Sequence, residues 1–341
     1  ASSWLRAIVS CALVLIVPLA GASPGIDPDL LAGMQARSIG PAGMSGRIGD
    51  VAAVPSDLNI MYVGASTGGV WKSTDGGLTW EPIFDDQPVA AIGAVTIDPS
   101  NDDVIWVGTG EGNLRNSVSV GNGIYRSRDA GRTWEHLGLE ESERIHRIHV
   151  HPRDPDTAFV AVTGKLWGDS EQRGVFRTRD GGKTWDRVLY VDERTGCSDL
   201  AIDPTNPDKL IAAMHEFRRT PWFFESGGPG SGLYVTVDGG DTWEEITPED
   251  GLPEGDLGRV GVAFAPSAPH LVYAFVEAKE NGFYRSTDGG FTWRKTPAAD
   301  TFGNRPFYYA DVRVDPDHPD RVYSLWSLVS VSDDGGDSFR V

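Results

Sequence analysis

Apolar and polar residues alternate over short runs, and proline, glycine and aspartate interrupt them every few positions. In residues 95–108, VTIDPSNDDVIWVG, two alternating stretches flank a Pro turn, and residues 200–213, LAIDPTNPDKLIAA, repeat the arrangement. Equivalent segments begin at Val51, Ile148, Val262 and Val312. Period-two alternation bounded by turn residues predicts half-buried strands. A third short strand follows each pair, as GVWKS, GIYRS, GVFRT, GLYVT and GFYRS. The best candidate for a helical turn is Glu140 to Arg144, and no substantial helix is expected.

The third strand runs into an octet, STDGGLTW at 73–80, which returns as SRDAGRTW, TRDGGKTW, TVDGGDTW, STDGGFTW and SDDGGDSF. Its aspartates, Asp75, Asp129, Asp180, Asp238, Asp288 and Asp334, are placed to accept backbone N–H groups across a tight turn. The glycine two residues later suits a positive φ, and Thr-Trp returns the chain to a strand with a large apolar face. Each unit therefore reads strand, Pro turn, strand, variable loop, strand, octet, strand. Four antiparallel strands cannot bury both faces alone, so the units must stack, and radial stacking makes an all-β propeller with six blades visible. The sixth octet lies two residues from Val341, so the expectation is the N-terminal part of a larger propeller, with Met34 to Ile39 as a candidate closure strand.

The octet resembles the Asp-box of bacterial-neuraminidase-type (BNR) repeats, shared by sialidases, xyloglucanases and the ectodomains of sortilin-type receptors. Further phrases, GTGEGNLRN at 108–116, GPGSGLYV at 228–235 and ARSIGPAGMSGRIG at 36–49, resemble secreted bacterial proteins with a sortilin-like N-terminal propeller, often labelled glycosyl hydrolases. The resemblance implies six structural aspartates, and a ligand face on the side of the blades opposite the octets.

Residues 1–22 read as a secretory signal peptide, with Arg6 before an apolar run and Ala20-Gly21-Ala22 as the cleavage signature. Residues 23–33 read as a linker and 34–341 as the propeller. An exported, periplasmic or extracellular protein follows, without stable membrane insertion after cleavage. Only Cys197 would then remain, so no intramolecular disulfide is available. With 49 acidic against 30 basic side chains and no basic run, nucleic acid and anionic membranes are poor partners.

Chemistry is expected on the face that carries the long loops. These loops offer Glu111, Asn113, Arg115 and Asn116, then Arg173, then Arg218, Arg219 and Trp222, with Arg259, Tyr308 and Tyr309 near the same mouth. Arginines, amides and aromatic rings suit a carboxylate or a sugar face, so the expected partner is a peptide, protein or carbohydrate. The alternative is a glycoside hydrolase, xyloglucanase-like or sialidase-like, with carboxylates partly outside this chain. A sialidase needs three convergent arginines; Arg47, Arg147 and Arg259 lie near inner-strand starts, but at different offsets from their Pro turns. In the xyloglucanase resemblance, Ser66 stands where a carboxylate precedes Gly-Gly, leaving Glu111, Asp199 and Asp311 as possible acids, or as partners of Arg115, Arg147 and Arg259. No catalytic residue is assigned. No cofactor is expected and no metal, since His151 of the RIHRIHVH run occupies a turn position filled by Asp98, Asp203 and Asp315 in other units.

Overall fold

A computed structural model describes residues 47–298 and 302–341; the signal peptide, the linker and the closure strand expected from the sequence lie outside them. The described residues form six antiparallel sheets in sequence order, arranged as a β-propeller. The inner strands, each the first of its blade, are Ile48–Val54, Ile92–Asp98, Ile145–Val150, Thr195–Ile202, Val260–Phe264 and Asp311–Val314. All six line one central channel of about 490 Å³. Between blades lie apolar seams, such as Trp106, Ile145, Val160 and Phe176 between blades two and three.

The alternating segments form strands as expected, and the octets form near-identical turns. In the second blade Ser127 Oγ receives the Gly131 N–H at 2.8 Å and donates to Asp129 Oδ1 at 2.8 Å. Asp129 also accepts the Thr133 N–H at 2.8 Å and the Thr133 hydroxyl at 2.7 Å. The turn needs two successive left-handed residues, not one. Gly131 has φ 91°, and Ala130 before it has φ 57°, where the other copies place glycine. Two of the tryptophans join blades: Trp134 Nε1 donates to the Ile83 carbonyl and Trp185 Nε1 to that of Leu137, both at 2.7 Å, whereas Trp80 and Trp293 donate to the glycine carbonyls of their own turns.

Three details differ from a uniform repeat. The sixth blade has three strands, with a single bridge between Val331 and Arg340 where a fourth would run. The expected helical turn is a 3-10 turn, Glu140–Ser142, and a second, Pro248–Asp250, is capped reciprocally by Thr247 and Asp250. In the fourth blade the second strand, Leu210–Thr220, overruns its sheet and pairs with Phe223–Ser226, so residues read as loop form a hairpin standing above the blade. Alternation through HEFRRT and the Pro221-Trp222 turn account for it.

Candidate functional site

The inner strand of each blade ends at its Pro turn, so the opposite end of the channel carries the loops between second and third strands. Counting five residues back from each turn proline gives equivalent inner-strand positions: Asp50, Ala94, Arg147, Asp199, Gly261 and Asp311. The Arg147 side chain crosses the channel. Its Nε donates to Asp199 Oδ1 at 2.8 Å and its Nη2 pairs with Asp311 in the sixth blade. Burial alone would lower the Arg147 pKa, but the carboxylates of Asp199, Asp311 and Asp50 raise it. Burial likewise works against an ionised Asp311, and Arg147 overcomes it, holding that carboxyl below its usual range.

Two of these aspartates also stitch blades together. Asp50 accepts the Val95 N–H at 3.1 Å, and Asp199 accepts the Val262 N–H at 3.0 Å, each on the next blade's inner strand. The inner strands would otherwise turn unpaired N–H groups toward the channel. Asp50, pushed upward by burial, has no arginine within bonding distance among the described residues.

At the loop end, Glu111 is fully buried and gripped by both Nε and Nη2 of Arg47, the Nε contact at 2.7 Å. The buried Arg259 donates to Asn113 Oδ1 and to the Tyr308 carbonyl, both at 2.9 Å, and lies 2.9 Å from His146 Nε2. The three arginines therefore satisfy three different sets of protein acceptors and do not converge on one point. Arg173 is also internal: it donates to the carbonyls of Thr163, Lys165 and Gly168, lies 4.4 Å from the Phe217 ring, and burial lowers its pKa to about 10. His151 serves its turn, Nδ1 accepting the Arg153 N–H at 3.2 Å as Asp203 accepts that of Thr205 at 2.8 Å.

The fourth-blade hairpin gathers the remaining candidates. Arg219 Nη1 donates to the Leu114 carbonyl and the Tyr308 hydroxyl, both at 3.1 Å, joining the second-blade loop and the link between blades five and six. Arg218 pairs with Asp169 at 2.7 Å, tying the hairpin to the third-blade loop. That loop exposes Trp167 at 50%, and the hairpin tip exposes Trp222 at 83%. Arg115 and Asn116 lie at the surface of the second-blade loop, and Tyr309 follows Tyr308 outside the group around Arg219.

A cavity of about 580 Å³ opens beside Arg219, lined by Phe224, Ser226, Arg305, Phe307 and Tyr308. The sequence reading passed over Phe224, Ser226 and Phe307; the aromatic-rich runs PWFFES and RPFYYAD were the available signal. It also missed Glu277. Ser226 donates to Glu277 Oε2 at 2.7 Å and lies 3.0 Å from Nε2 of the buried His215. Burial raises the Glu277 pKa, opposed by the Arg259 N–H at 2.8 Å and by Ser226.

A family model described as Sortilin-Vps10 (sortilin, neurotensin receptor 3) matches residues 122–251. Among curated proteins, a xyloglucanase of Hypocrea jecorina is 28% identical over 220 residues, 58% of this chain and 25% of that protein. A xyloglucanase of a Paenibacillus species is 27% identical over 221 residues, 58% of this chain and 20% of that protein. The chain thus spans a quarter or less of the length of these two relatives. Among solved structures, the GH74 xyloglucanase from Xanthomonas campestris superposes with a TM-score of 0.65 at 19% identity, covering 86% of this chain and 46% of that one. Ycf48 bound to D1 peptide gives a TM-score of 0.54 at 16% identity, covering 86% and 80%.

Proposed function

We propose that this chain is the polysaccharide-engaging propeller of an exported glycoside hydrolase related to xyloglucanases, and that its loop face binds a xyloglucan-type glucan. The similarity to xyloglucanases over 58% of the chain carries the reading and favours the hydrolase alternative over a peptide or protein receptor. The geometry agrees: Trp167 and Trp222 stand exposed on two loops joined by the Arg218–Asp169 pair, and exposed indoles stack on sugar rings.

For hydrolysis, one carboxyl must be protonated near neutral pH. Glu277 fits best on geometry, since Ser226 connects it to the cavity and burial shifts its pKa in the upward direction, whereas Glu111, Asp199 and Asp311 are each committed to an arginine. A second carboxylate is not assigned. Release of reducing ends from xyloglucan, abolished by Glu277→Gln with binding retained, is the expected result. Binding should weaken at least about fivefold in Trp222→Ala, whose melting should be unchanged. Absence of any xyloglucan binding by the wild type overturns the reading; binding without hydrolysis leaves a glycan-binding module. The peptide held by Ycf48 motivates the second reading, for which a peptide array probed with the same variants is the test.

A further inference from the structure

The cavity beside Arg219 has a composition unlike the rest of this protein. The chain carries a formal net charge of −19, yet the cavity is lined by two arginines, three aromatic rings and a serine, with no carboxylate. Arg219 uses Nη1 for its two protein contacts. Its Nε–H is buried without an acceptor, and Nη2 has none among the described residues. The group left for a ligand is therefore Nη2, whose N–H groups can donate to a carboxylate oxygen. The guanidinium plane is held by Phe224 at 4.9 Å and by Tyr308 at 6.0 Å, so Nη2 is fixed before a ligand arrives. Arg305, exposed and without a side-chain partner among the described residues, brings a second positive charge to the same cavity. Phe224, Phe307 and Tyr308 pack on one another, with ring centroids 4.5 to 6.3 Å apart. Flat apolar rings next to a fixed guanidinium suit a pyranose that bears a carboxylate.

We propose that this cavity is a subsite for an acidic sugar, a uronate whose carboxylate is taken by Nη2 of Arg219 with Arg305 beside it, and whose ring lies on the Phe224, Phe307 and Tyr308 cluster. The proposal rests on the glycan reading above and narrows it: the polysaccharide carries uronate residues or branches in addition to neutral sugars. Ser226 contributes an oxygen at the wall that accepts from a sugar hydroxyl, since its own proton is engaged by Glu277.

The test uses the full chain and calorimetric binding of tetragalacturonate, its methyl ester, a neutral xyloglucan oligosaccharide and a peptide with a free C-terminus. Tetragalacturonate should bind at least about tenfold more tightly than the ester, with the margin shrinking as salt is raised. Arg305→Gln should remove most of the margin at unchanged melting temperature, because the exposed side chain makes no hydrogen bond or ion pair among the described residues. Arg219→Lys should reduce it further, because a lysine keeps the charge and loses the planar guanidinium that Phe224 and Tyr308 hold in place. Equal binding of acid and ester overturns the proposal, as does a margin that survives both substitutions. Binding of the peptide with tetragalacturonate silent overturns it in favour of a peptide pocket. Retained xyloglucan binding in those cases leaves the glycan reading standing, whereas loss of both ligands in the wild type removes the two together.

Discussion

Arg147 and Asp199 stand on the inner strands of adjacent blades with Nε and Oδ1 2.8 Å apart, and the same guanidinium crosses the channel to Asp311 in the sixth blade. The contact to Asp311 links residues 164 positions apart. Both Arg147 and Asp199 are buried, so the pair is shielded from salt.

Replacing Arg147 by methionine, which keeps much of the volume, should leave the buried Asp199 without its ion-pair partner and Asp311 with the more distant Arg313 at 4.0 Å. The expected loss is about 3–5 kcal/mol, the usual cost of breaking a buried pair from one side. Denaturant unfolding checks it, and a double replacement of Asp199 and Asp311 by asparagine in the methionine background should recover part of the loss.

Acid should destabilise the protein in a defined window. Asp75, Asp129 and Asp180 are held down to about 2, chiefly by the Thr79 and Thr133 hydroxyls and the Thr184 N–H, and Asp311 is held below its usual range too. Because these folded-state values lie below the unfolded value of about 3.9, the stabilisation is fully present above pH about 4 and is lost as pH falls toward 2. Melting temperature against pH should therefore fall steeply between those limits. A flat profile there would exclude this account.

Glu277 has the opposite sign. Its folded-state pKa is raised, so ionisation costs stability as pH climbs through that value. Glu277→Gln keeps an acceptor for the Arg259 N–H and the Ser226 hydroxyl while removing the charge. The variant should be at least as stable as the wild type at pH 7, and the difference should shrink toward pH 4. Paired thermal melts at the two pH values measure this.

Ala130 occupies a left-handed position at φ 57° that the other five octets fill with Gly76, Gly181, Gly239, Gly289 and Gly335. Ala130→Gly should raise stability by about 0.5–1 kcal/mol, relief of the Cβ clash exceeding the added flexibility of the unfolded chain. The reverse change, Gly181→Ala, should lower it, since a Cβ there would also press on Asp156 and Arg126. Chemical denaturation of both variants decides it.

Much of this molecule is local, and for that reason the sequence alone determined it. The octet closes its own turn through Ser127, Asp129, Gly131 and Thr133, contacts spanning at most four residues, so repetition in the text became repetition in space. Period-two alternation did the same for the strands, and unpaired sheet faces required the blades to stack. What only the tertiary structure decided was partnership across the channel and between loops. That Arg147 crosses to Asp311, that Arg173 turns inward onto three carbonyls, and that Arg219 meets Tyr308 all depend on how six separate sheets are wound around one axis. Glu277 shows the reason most plainly: as a residue at a strand end it looks like any solvated acid, and its raised pKa comes from the burial that packed blades impose, which outweighs the hydrogen bonds from Ser226 and the Arg259 N–H. Side-chain type is written in the chain, but the dielectric around it and the groups it faces arise only when distant segments pack together.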